Sequence, residues 1–345
     1  MPIIFDDSDS KDGLYPFAVV RNVADIRIGI LTIREKWAMI FSHLGYDIEK
    51  NTLTVKANFI PTLNYVELQG HIDNENIPVT YGQDDVKILN HPWQLFQLND
   101  WALRKDFELI TSNRRSQKIS STNKIISPEN IFIEEGAIVE HSFLNASQGP
   151  IYIGKNAVVM EGNFIRGPFA LCEGATIKMG SKIYGATTIG PYSVAGGEIK
   201  NSILFGYSNK AHDGYLGDSV LAEWCNLGAG TSNSNLKNTA GEVKVWNNKA
   251  NTFATVGNKC GLLMGDYSMS AINTSFNTGT VVGVCCNVFN KEFLSKYISD
   301  FSWGNERYNI DKALQSIENW KKLKSKNITP EEKKILIDLY NQNQQ

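Results

Sequence analysis

Residues Asn209–Asp218, NKAHDGYLGD, hold His212, one of five histidines in the 345-residue chain, between Lys210 and Asp213 and ahead of Gly214 and Gly217. An unperturbed imidazole titrates near physiological pH, so His212 is the best general base the chain offers. The bland alternative is a turn histidine that satisfies a backbone carbonyl. Which of the two holds depends on the elements that position this segment.

Those elements belong to a chain of ordinary globular composition, 42% hydrophobic, long enough for two or three compact units. With 34 basic and 36 acidic residues the net charge is −2, and nothing in that balance calls for nucleic acid or an anionic membrane surface. An anionic ligand must therefore be held by local groups. Cys172, Cys225, Cys260, Cys285 and Cys286 are odd in number and lack CxxC spacing, which speaks against a disulfide framework or a thiolate zinc site. No basic-then-apolar leader opens the chain, and no apolar run approaches ~18 residues. The expectation is a cytoplasmic protein.

Before residue 115 the pattern is that of a small α/β unit: a short strand Pro2–Phe5, a polar loop at 6–13, a helix over Ile30–Phe41, and a strand over Leu53–Phe59. Beyond it the period changes. Ile153, Val159, Ile165, Leu171, Ile177, Ile183 and Ile189 recur at a spacing of six, and the beat returns at Met264, Phe276, Val282 and Val288 with Ser270 out of pattern. A six-residue aliphatic repeat with a small residue at the fifth place predicts a hexapeptide β-helix over 116–292, a three-walled prism with the aliphatic residues stacked inside. The polar stretch 232–255 reads as a loop excursion, and 293–345 as a helical extension with apolar residues on one face (Ile310, Ala313, Leu314, Ile317). The N-terminal unit is expected to cover one end of the prism, and the chain leaves the other end into the helices.

With the hexads placed, residues 209–231, NKAHDGYLGDSVLAEWCNLGAGT, resemble the acetyltransferase region of the bifunctional glucosamine-1-phosphate N-acetyltransferase / N-acetylglucosamine-1-phosphate uridylyltransferase family. RNVADIRIGILTIREKW (21–37), GPIYIG (149–154), IRGPFALCEGATIKMGSKIYGATTIGP (165–191) and SFNTGTVVGV (275–284) are similar to sugar nucleotidyltransferases related to those enzymes. The resemblance implies a left-handed parallel β-helix that forms homotrimers, with acetyl-CoA and an amino-sugar phosphate bound between neighbouring prisms. It implies His212 as catalytic base, Tyr215 and Asn226 as sugar contacts, Lys200 as a phosphate-holding residue, Lys182 in place of an arginine, Asn235 at the acceptor site, and Ala229 as a backbone contact for the CoA thioester. The chain departs from the family where Leu236 replaces a tyrosine and Gly241 stands in the region of a lysine.

The same resemblance makes the first ~110 residues a shortened nucleotidyltransferase-like domain. Such enzymes wrap phosphates with a Gly-rich loop and use carboxylate-bound Mg2+. Here the first strand runs into DDSDSKDG, whose carboxylates repel a triphosphate unless a cation intervenes. Arg21, Asp25 and Arg27, with Arg34 and Lys36, are the nucleotide-binding candidates, against the alternative of an internal ion-pair cluster around Asp25. A metalloenzyme of the γ-carbonic-anhydrase kind is disfavoured: of His43, His71, His91, His141 and His212, only His141 and His212 are near the prism, and no His-x4-His pair exists. The expectation is acetyl transfer from acetyl-CoA to an amino-sugar phosphate or sugar nucleotide at a cleft between neighbouring prisms, with nucleotidyl transfer to a sugar 1-phosphate at the N-terminal domain or a non-catalytic trimeric scaffold as alternatives.

Overall fold

The computed structural model describes residues 3–45, 53–67, 82, 84–289 and 294–342; His71 lies outside them. Three sheets of ten, six and nine strands, parallel except for the terminal antiparallel pair Ser302–Trp303 with Glu306–Arg307, form the walls of a left-handed parallel β-helix of about ten coils. On the nine-stranded wall Ile133, Ile153, Leu171, Ile189, Leu204, Leu221, Met264, Val282 and Ile298 stack in register as one inward row. Each buried aliphatic side chain in such a row stabilises the prism by roughly 2 kcal/mol. Around Ile189 the beat shortens: Ile183 pairs with Ile199 and Thr188 with Ile203, so the coil here has tighter corners than the six-residue rule allows, and the full spacing returns between Met269 and Asn287. Ser270, out of pattern in sequence, keeps its place in the ten-stranded wall between Leu227 and Val288. There its hydroxyl meets Thr231 Oγ1 at 3.2 Å.

The N-terminal unit does not cover an end. Strands β1 (Ile3–Asp6) and β2 (Leu53–Lys56) pair in parallel, and β3 (Phe59–Pro61) pairs with β4 (Val86–Ile88). Helix α1 (Ile33–His43) starts later than its pattern suggests, because Thr32 caps it: Thr32 Oγ1 accepts from Glu35 N while the Glu35 carboxylate accepts from Thr32 N. Helix α2 (Gln94–Thr111) and the loops beside α1 lie lengthwise on the nine-stranded wall. Asn99 donates to the Ala186 carbonyl at 2.8 Å, Thr188 Oγ1 donates to the Gly29 carbonyl at 2.9 Å, and Phe17 packs on Phe205. This lateral seat explains why strands Phe169–Leu171, Thr187–Ile189 and Leu262–Met264 are buried on both faces.

Helices α3 (Ile310–Leu323) and α4 (Pro330–Gln342) also lie against the side of the prism. They pack on a corner where Tyr192, Tyr207, Trp224 and Tyr267 occupy left-handed backbone. Tyr207 and Trp224 stack at 4.3 Å, and the Lys321 ammonium sits 5.1 Å over the Trp224 ring. In the excursion, Ser232–Asn233 still pairs with Ser275–Phe276, and an antiparallel hairpin follows, Lys244–Asn247 with Thr252–Thr255. Trp246 from this hairpin stacks on Tyr297 at 4.5 Å.

Candidate active site

Three consecutive corners leaving the ten-stranded wall carry Gly197, His212–Gly214 and Ala229–Gly230; the first two lead into the six-stranded wall and the third into the pair Ser232–Asn233 with Ser275–Phe276. They are stitched together: Glu198 N donates to the Gly214 carbonyl, Gly230 N to the Asp213 carbonyl at 3.2 Å, and Asn273 N to the Ala229 carbonyl at 2.7 Å. Glycine is required here. A Cβ on Gly197, at φ +75°, would lie 2.9 Å from the His212 carbonyl oxygen, and one on Gly214, at φ +120°, would lie 2.1 Å from the Thr231 carbonyl oxygen. The close seating fixes the backbone of His212 while its side chain stays exposed, and among the described residues the imidazole makes no hydrogen bond. This is the arrangement of an available base, and it differs from a histidine engaged in a turn.

On the six-stranded side of this edge, Phe143, Phe164, Lys182, Glu198 and Tyr215 follow one another as backbone partners on the outer face. Lys200 pairs with Gly217 on the same wall, and Lys182 and Lys200 are both exposed. Asn235 joins the group from just beyond strand Ser232–Asn233. Its Nδ2 donates to Asp218 at 2.6 Å and to the Tyr215 hydroxyl at 3.2 Å. Asp218, buried, also accepts from Asn201 at 2.6 Å. Burial, helped by Asp218 and Glu198, pushes the Tyr215 phenol up to about 12. Asn226 stands on the ten-stranded side, partnered with Asn209 and Met269. The edge thus gathers His212, Tyr215, Asn235, Ala229, Asn226 and Lys182 on neighbouring coils, and Lys200 lies at the far end of its strand.

Sequence reasoning missed Lys210, Asp218 and Asn201 as parts of this edge. Asp218 and Lys210 lie inside the quoted motif, but Lys210 falls off the six-residue beat and only its register with Ala195 shows that it points inward. Lys210 is 2% exposed, and its Nζ donates to the Gly196 carbonyl at 3.1 Å and to the His212 carbonyl. Burial lowers its ammonium to about 8, with Asp213 opposing.

Of the N-terminal candidates, Arg21 and Asp25 line one small cavity of 180 Å³ with Glu223 and Glu332, while Arg27 and Lys36 are engaged elsewhere. Arg21 pairs with buried Asp266 and lies 3.6 Å from Glu223, both on the solenoid. Asp25 binds Arg34 at 2.6 Å, Arg27 holds the Ile30 carbonyl and reaches Glu35 at 3.4 Å, and Lys36 pairs with Asp106. In the acidic loop, Asp7 accepts from Val23 N at 3.2 Å, and Lys56 bridges Asp6 and Asp9 at 3.6 and 2.6 Å. Among the described residues Asp25 forms an ion pair with Arg34 alone, so these pairs do not make a single cluster around it. A cavity of 1110 Å³ opens between this loop, the last coils and α4, and none of the sequence-predicted site residues lines it. Among the described residues no cluster suits a metal ion and no helix is long and apolar enough to cross a membrane. All five cysteines are buried and unpaired.

Fold and edge define a class: a hexapeptide-repeat solenoid with an exposed histidine clamped at a coil corner. A family profile described as sugar nucleotidyl transferase matches residues 2–57. The chain is 28% identical over 205 residues to the bifunctional sugar-1-phosphate nucleotidylyltransferase/acetyltransferase of Sulfurisphaera tokodaii, covering 58% of this chain and 44% of that one. It is 30% identical over 247 residues to the bifunctional protein GlmU of Methanococcus maripaludis (69% of this chain, 48% of the relative). To GlmU of Methanocaldococcus jannaschii it is 33% identical over 198 residues (57% and 42%). The chain spans less than half the length of these curated relatives. The chain is thus similar to sugar nucleotidyltransferases over its first residues and to bifunctional nucleotidyltransferase/acetyltransferases over more than half of its length.

Proposed function

We propose that the protein transfers an acetyl group from acetyl-CoA to the amine of an amino-sugar phosphate at the His212 edge. The observation that carries this reading is the exposed, unpartnered imidazole on a backbone clamped by Gly197, with the Tyr215–Asn235–Asp218 network beside it. The amine nitrogen attacks the thioester carbonyl and a C–N bond forms. His212 takes the amine proton, the C–S bond breaks, and the proton passes on to the departing thiolate. Tyr215, Asn226 and Asn235 orient the sugar hydroxyls, and Lys182 and Lys200 attract its phosphate. The corners at Gly180, Gly197, Gly214 and Gly230 form a track with few side chains, and Met179 and Ile272 are exposed on the same edge. These residues fit an extended acyl carrier whose thioester lies near Ala229.

An open edge leaves such a site to be completed by a second prism, and the reading therefore includes a homotrimer in a cytoplasmic setting. Nucleotidyl transfer at residues 2–57 is the second reading, favoured by the family match there. Its residues fit a Mg2+-bound triphosphate poorly: Arg21, Arg27 and Lys36 are committed to protein carboxylates and carbonyls, and no glycine cradle follows β1.

Release of free CoA thiol, followed with a thiol reagent over a panel of amino-sugar phosphates, tests the proposal together with thermal shifts. Acetyl-CoA should raise the melting midpoint and a nucleoside triphosphate with Mg2+ should not. His212→Ala should abolish turnover at unchanged fold; a stabilisation by triphosphate alone would reverse the choice between the two readings.

A further inference from the structure

We propose that Lys210 is the positioning residue of this edge, its ammonium reaching from inside the prism to hold the His212 carbonyl and so fix where the imidazole stands. The inference rests on the acetyl-transfer reading for its kinetic consequence, though not for its structural one.

Lys210 occupies an inward position. Val139, Val159, Ile177 and Ala195 stack in register beneath it on the ten-stranded wall, and Lys210 pairs directly with Ala195. Hexapeptide packing asks for an aliphatic residue there. Among the described residues no carboxylate forms an ion pair with Lys210, so the fold carries a buried cation satisfied by carbonyls alone. An apolar side chain of similar length would remove that desolvation penalty, so stability does not account for the lysine. What the ammonium does provide is local. It is the one donor to the His212 carbonyl among the described residues, and the same nitrogen binds the Gly196 carbonyl of the coil beneath. Room for the four-carbon stem comes from Ala195, the smallest residue in the row so far. With Gly197 below and the Gly230–Asp213 hydrogen bond above, Lys210 closes the third side of a clamp from which the imidazole and the neighbouring Asp213 side chain stand exposed. A displacement of about 1 Å at a base costs on the order of 100-fold in rate.

The test uses the full chain carrying Lys210→Met. The expected result is a melting midpoint within a few degrees of wild type, unchanged KM for acetyl-CoA, and kcat for acetyl transfer lower by about 100-fold. Histidine-ring NMR supplies a readout free of activity: the His212 signals, assigned by their loss in His212→Ala, should move and broaden in Lys210→Met while those of the other histidines stay in place. Wild type without acetyl transfer overturns the acetyl-transfer reading and leaves the NMR comparison to decide the clamp. Lys210→Gln, which keeps a donor on a shorter stem, is measured alongside in case the methionine variant does not fold. Either variant folded with His212 signals at their wild-type positions overturns the proposal. Loss of fold in both makes Lys210 a stability residue and overturns it too.

Discussion

Asn235 reaches back across one coil to Tyr215, its Nδ2 3.2 Å from the phenol oxygen, while the same nitrogen donates to Asp218 at 2.6 Å. The contact ties the residue that leaves the prism for the hairpin to the strand that follows His212. It also lays the phenol along its own strand, over Gly217. Asn235→Ala removes both hydrogen bonds, each worth about 1 kcal/mol net. The expected outcome is a KM for the amino-sugar phosphate raised roughly 10-fold with kcat little changed, since the base is untouched. Steady-state kinetics check it, and an effect confined to kcat would remove Asn235 from substrate orientation.

Arg21 joins the N-terminal unit to the solenoid by pairing with Asp266, a carboxylate with no exposed surface. Truncating one partner of a buried pair leaves the other charge without compensation, a cost of about 3–5 kcal/mol. Arg21→Met is therefore expected to lower the urea midpoint markedly. Arg34→Met, which breaks the half-exposed pair with Asp25, should change stability by less than about 1 kcal/mol. Equal effects from the two variants would mean that Arg21 is not a structural tie.

For Lys210 the pH dependence has a definite sign. Its folded ammonium lies at about 8 against 10.5 for the free side chain, held down by burial and opposed by Asp213. Between those values the unfolded chain binds more protons than the folded one, so this group makes stability rise with pH across that window and imposes its full penalty below it. The shift corresponds to a penalty on the order of 3 kcal/mol. Urea unfolding of wild type and Lys210→Met from pH 7 to 10.5 isolates the term, because the buried thiols are common to both proteins. The variant's advantage should be largest at pH 7 and shrink as pH rises through 8 towards 10.5. Parallel stability curves would show that the lysine is not titrating as a buried group.

The prism was legible because its evidence is local and periodic: seven aliphatic residues from Ile153 to Ile189 report their own stacking. The period then tightens, as in the step from Thr188 to Ile203, and fixed spacing loses the inward row where the candidate site begins. Lys210 was hidden for the same reason, since a lysine two residues before a histidine reads as polar motif until the register stacks it directly on Ala195. The lateral seat of the N-terminal unit was not readable either. It depends on small outward residues such as Ala170 and Thr188 meeting Ile30 and Gly29, contacts far apart in the chain. Arg21 looked available for phosphate because its partner, Asp266, lies 245 residues away.

The remaining prediction concerns the outer face of the six-stranded wall. Phe143 and Phe164 stack at 4.9 Å with nearly parallel rings, each about half exposed, one strand from Lys182. Ile126 and Tyr184 are exposed on the same sheet. Adjacent apolar side chains of this size on the face leading to the His212 edge are what a neighbouring prism would cover in the proposed trimer. Phe164→Glu puts a charge at the centre of that patch without touching the inward rows. Light scattering should then show the mass fall from three chains to one with circular dichroism unchanged, and acetyl transfer should fall with it, because an edge without its neighbour holds the base but not the whole pocket. A wild-type protein that runs as a single chain, or a variant that keeps both its mass and its turnover, would place the site within one prism and remove the second subunit from the mechanism.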